Sequence, residues 1–105
     1  MTWLHPIVDW LFGQAAVYFA ANPVAQMVLK VVHSIVDRQL FGAAAALSAD
    51  GLDATSPVTE IIDKLFAYVE AQLKGHVIII ALLKEANVYL DQWLATNPAP
   101  PVVTP

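Results

Sequence analysis

The chain has 105 residues with five basic and nine acidic side chains, a net charge of −4, three histidines and no cysteine. This length specifies a single domain with a modest core. The lack of cysteine excludes disulfides and thiolate metal sites, and the scattered Lys30, Arg38, Lys64, Lys74 and Lys84 are not the clustered cations that nucleic acid requires.

Apolar residues make up 58% of the chain and charged residues 13%. The charged share is about half of the usual ~25%, so polar surface is scarce and much of the outside is expected to be covered. The charge is also uneven: residues 1–49 hold only Asp9, Lys30, Asp37 and Arg38. The first residues lack a basic segment and Asp9 interrupts the apolar run, so no secretory signal is expected.

The apolar spacing predicts an all-α chain of three to four helices, at about 3–21, 23–41 and 57–96, the last with a possible break at Gly75. Residues 1–97 are read as one helical domain and 98–105 as an extended proline-rich tail. Thr2 is placed to cap the first helix, whose apolar positions are Leu4, Ile7, Val8, Leu11, Ala15, Tyr18 and Phe19. Asn22-Pro23 breaks that helix and starts the next, because the residue before proline is pushed out of the α region while asparagine caps and proline suits the first turn.

The second helix is expected to bury Val24, Met27, Val28, Val31, Val32, Ile35 and Val36, with Gly42 as a plausible stop, although Ala43–Leu47 can extend it. Ser48–Thr55 reads as a loop.

Ser56-Pro57 then opens the longest periodic stretch, with Ser56 as the expected N-cap. Its apolar seam includes Val58, Ile61, Leu65, Ile79, Leu83, Leu90 and Trp93, which are the expected interaction residues. The seam crosses Gly75 without a slip, which favours one continuous helix; Lys74-Gly75, a cation followed by glycine, is the opposing stop signal. Val77–Leu83 is apolar on every side and is expected to be buried all round, by helices, by a partner or by lipid.

Candidate chemistry is sparse. His5, His33 and His76 form no i, i+4 pair with one another, so no zinc-helix motif is read and no metal, cofactor or catalytic residue is assigned. His33 and Asp37, four apart, share a face, but neighbouring Ser34 points about 100° away and no local triad forms. Asp50, Asp53, Thr55 and Glu60 lack EF-hand spacing and read as a polar turn. His76 reads as a residue at a bend, and Pro98–Pro101 is formally a Pro-x-x-Pro match. Trp3, Trp10 and Trp93 read either as core and interface residues or as membrane anchors.

These features support a non-enzymatic helical subunit of a homo-oligomer or larger assembly, such as a small virion or phage-particle component, with protein partners and no nucleic acid. The alternative is a small membrane-associated protein, holin-like or an accessory subunit of a membrane complex. Trp10–Leu29 is an uncharged run of bilayer length, but Asn22-Pro23 interrupts it.

Overall fold

The computed structural model describes residues 2–96. The proline-rich tail and its Pro-x-x-Pro match lie outside the described residues. Four helices follow in order: α1 (Leu4–Tyr18), α2 (Pro23–Ala49), α3 (Val58–Gln72) and α4 (Val77–Thr96). No strand occurs among the described residues. α2 and α4 pack on each other, and α1 and α3 each pack on both of them. α1 and α3 make no packing contact with one another, so they flank the α2–α4 pair.

Asn22 caps α2 as the sequence implies: its side-chain oxygen accepts from the Ala25 N–H at 3.1 Å, with Pro23 in the first turn. α2 runs on through Gly42 to Ala49, past the stop read at the glycine. It closes in a Schellman arrangement, in which Leu52 N–H reaches the Leu47 carbonyl and Gly51 N–H that of Ser48, both at 3.0 Å. Leu47 and Leu52 are both buried, the apolar contact that accompanies this closure.

The two other expected caps are not formed. Trp3 stands at the N-cap of α1 with no side-chain cap bond, and Thr2 contributes its carbonyl to His5 N–H instead. Pro57 is the N-cap of α3, and the Ser56 hydroxyl turns back to accept from Asp53 N–H at 3.0 Å. The loop's own bonding therefore takes the hydroxyl that the helix would have used.

Helical continuity through Gly75 is likewise overturned. Gly75 has φ +97°, in the left-handed region, and α4 restarts at Val77. An L side chain in this conformation costs roughly 1–2 kcal/mol, which glycine avoids. The unbroken seam arises because each helix separately needs an apolar stripe facing the same core.

Gly42 allows close approach of α2 and α3. A methyl group there would run into the Tyr68 hydroxyl, and it would lie 3.2 Å from Cζ of that ring. Gly42→Ala is therefore expected to push the tip of the half-buried Tyr68 ring aside and to destabilise the fold by less than about 1 kcal/mol, since alanine's better helix propensity offsets much of the cost. In a Tyr68→Ala background the sign reverses and the same change stabilises. Chemical denaturation of the four proteins of this cycle measures both outcomes.

Candidate functional site

The expected interaction residues fall inside the chain's own bundle. Val58, Ile61, Leu65, Leu83, Leu90 and Trp93 are buried, and Ile79 is half-buried against the core. They join α3 and α4 to α1 and α2, so a partner surface on the folded chain has to be drawn from other residues. Trp93 meets Trp10 edge to face at 5.1 Å, and Phe19 meets Tyr89 likewise at 5.1 Å. Trp3 donates through Nε1 to Ser48 Oγ at 3.1 Å. Trp93 is thus a core residue, while Trp3 and Trp10 are half-buried.

The outward apolar residues lie elsewhere. Val24, Met27 and Val31, expected to be buried, are exposed, whereas Ala25, Val28, Leu29, Val32 and Val36 are buried. The reason is geometric. At 100° per residue, the apolar positions of this half of α2 span an arc of about 200°. The neighbouring helices cover one half of that arc and leave the half carrying Val24, Met27 and Val31 open. Val17 and Tyr18, also exposed, end α1 just across the short turn into α2.

A second uncovered region opens α4. Val77 and Ile78 are 77% and 78% exposed, and Ile79 and Ile80 are half-buried. The chain's own helices therefore do not bury Val77–Leu83 all round; within the stretch only Leu83 reaches the interior. A recess of about 420 Å³ beside this turn is lined by Gly75, His76, Val77, Ile78 and Ile79. His76 is exposed at the bend, where its N–H bonds the Leu73 carbonyl at 3.0 Å and its own carbonyl accepts from Ile80.

Among the described residues, histidines and carboxylates converge between α1 and α2. His5 and Asp9 on α1, four apart, approach to 3.3 Å. His33 and Asp37 on α2 lie 3.6 Å apart. The two pairs meet through Asp9, whose second oxygen is 3.0 Å from His33 Nε2. The His33 ring stacks on Phe12 at 4.8 Å, with 6° between the planes. Gln26 on α2 also bonds the Ala16 carbonyl on α1, which helps to set the two helices together. Only His33–Asp37 was singled out from the sequence. His5–Asp9 has the same spacing, and that repeat is the signal that was there to find.

Elsewhere the electrostatics are local. Thr55 donates to Asp53 through its hydroxyl at 2.5 Å and its N–H at 2.8 Å, and these bonds hold the Asp53 carboxyl below the usual range. This is the polar turn read from the sequence. Partial desolvation, and then the Asp63 charge, push Asp91 up. The folded chain therefore holds that proton more tightly than the unfolded chain, so the contribution of Asp91 to stability falls as pH rises through its folded pKa. No polar or charged residue among the described residues is fully buried.

No protein-family model, curated protein or solved structure matches the chain.

Proposed function

We propose that the chain is a non-enzymatic helical subunit that associates with copies of itself, through the uncovered half of the α2 apolar arc. The observation that carries this reading is the exposure of Val24, Met27 and Val31 at helical spacing, beside exposed Val17 and Tyr18. A stripe of this kind is what a facing helix covers in a bundle or coiled coil. A second copy is the simplest occupant: the stripe itself bears no charge, so two copies meet there without like-charge repulsion. The low charged fraction of 13% has the same meaning, since little of the surface is specialised for water.

Membrane association is the other use of such a surface. No helix of the described residues is long and apolar enough to cross a membrane. The uncharged run Trp10–Leu29 is divided between α1 and α2 by the turn before Pro23. Attachment from one side would use the same stripe, and it is distinguished by flotation with liposomes.

The test is the double variant Met27→Asp/Val31→Asp, measured by light scattering on a sizing column without detergent. Both residues are exposed, so helicity and melting of the folded subunit are expected to be retained while the mass falls to that of one 11.4 kDa chain. An unchanged mass contradicts the α2 interface. Flotation of the unmodified chain with liposomes, lost in the variant, assigns the stripe to lipid instead.

A further inference from the structure

The α1–α2 pair presents two copies of one local pattern, His5-x-x-x-Asp9 and His33-x-x-x-Asp37. Residues four apart on a helix share a face, so each pair offers an imidazole nitrogen and a carboxylate to the same side. The helices then turn these faces toward each other. We propose that His5 and the carboxylates of Asp9 and Asp37 bind one divalent transition-metal ion of the zinc type, while His33 holds the Asp9 carboxylate from behind through its 3.0 Å contact with Oδ1.

The spacing of the donor atoms carries the proposal. Zinc bonds nitrogen and oxygen at about 2.0–2.1 Å, so neighbouring ligand atoms of a tetrahedral site are about 3.3 Å apart. The contacts here are 3.3 Å for His5–Asp9, 3.0 Å for His33–Asp9 and 3.6 Å for His33–Asp37. The His5–Asp9 contact matches the edge of that tetrahedron, while His33 reaches the other oxygen of Asp9. Donor atoms of His5, Asp9 and Asp37 all lie within 4.8 Å of one another. Small side-chain rotations thus convert His–carboxylate contacts into edges of a coordination shell, with no change in the helix pair.

Three further features fit. Among the described residues, only histidines come within ion-pair distance of Asp9 and Asp37, and Arg38 lines the recess beside Asp37. With neutral imidazoles the cluster carries a formal charge of −2, which a divalent cation balances. Stacking on Phe12 fixes the plane of His33 and with it the Asp9 carboxylate that His33 holds. The Thr2 hydroxyl lines the recess shared by His5 and Asp37, and its oxygen is buried with no hydrogen-bond partner among the described residues. This recess therefore has a polar group to spare beside the cluster, where a metal-bound water can be held.

The donor set also selects the class of ion. The imidazole nitrogen of His5 suits zinc and its transition-metal neighbours, whereas magnesium and calcium favour all-oxygen shells. The ligands are partly exposed, so an ion enters directly from water.

Isothermal titration of the full untagged chain with zinc chloride, and separately with magnesium chloride, tests the site. One zinc per chain is expected, with no comparable binding of magnesium. His5→Ala and His33→Ala should each weaken zinc binding at least about tenfold, the loss already seen when groups behind the ligands are removed. His76→Ala, at the exposed bend, should leave it unchanged. Zinc should also raise the melting temperature of the unmodified chain and not that of the His5→Ala/His33→Ala double variant, whose helicity is checked by circular dichroism. Absence of zinc binding, or equal binding by the double variant, overturns the proposal, as does an equal loss in His76→Ala.

Discussion

Leu83→Asp is expected to abolish the folded state. Leu83 is fully buried, at the point where α4 first enters the core. Its replacement removes leucine packing that is worth about 2–5 kcal/mol in comparable sites. It also places a carboxylate where the described residues offer no fully buried polar partner, which costs several kcal/mol more whether the group stays charged or takes up a proton. The sum approaches the ~5–15 kcal/mol that holds a whole domain together. The expected observation is loss of the cooperative thermal transition in far-UV circular dichroism. Ile78→Asp, five residues earlier but largely exposed, should shift stability by no more than about 0.5 kcal/mol. A folded Leu83→Asp chain with an ordinary melt would mean that α4 does not pack as described.

Trp93→Ala should be the next most damaging change. Trp93 is buried in α4 and meets Trp10 of α1 edge to face, so truncation removes a large apolar volume at the α1–α4 contact. Loss of a buried tryptophan costs about 3–5 kcal/mol. For a domain of this size that lowers the melting temperature by more than about 12 °C. Because the contact lies within one chain, the drop should be the same at every protein concentration. A loss that fades as concentration rises would instead place Trp93 between chains, where the seam pattern alone had put it.

Trp93 illustrates how far the sequence can be read. The periodicity put it on one seam with Val58, Ile61, Leu65, Ile79, Leu83 and Leu90, read as interaction residues; within the chain all but the half-buried Ile79 are buried. Periodicity does not say whether the covering surface belongs to the same chain. The all-helical class and the Asn22-Pro23 boundary were legible, the boundary because capping and proline act locally. The break at Gly75 was signalled by Lys74-Gly75 but obscured by the unbroken register. Two antiparallel helices can keep a common register across a short turn, since each must offer a stripe to the same core.

The outward stripe of α2 was illegible for a different reason. Val24 and Val28 look alike in sequence, and only the positions of α1 and α4 decide which half of a wide apolar arc is covered. The His–Asp cluster lies between these cases. Each pair follows from i, i+4 spacing, but the 3.0 Å contact of His33 with Asp9 joins residues 24 apart and exists only once the helices pack. The cap at Ser56 failed because a loop bond takes the same hydroxyl, whereas the Thr2 hydroxyl caps nothing and has no partner among the described residues.

The central claim is that this chain works as an associating subunit, and light scattering of the unmodified chain on a sizing column, without detergent and over a range of concentrations, tests it most directly. The account expects a defined particle whose mass is a whole multiple of 11.4 kDa. A chain that remains a single 11.4 kDa species at every concentration, and does not float with liposomes, would contradict it.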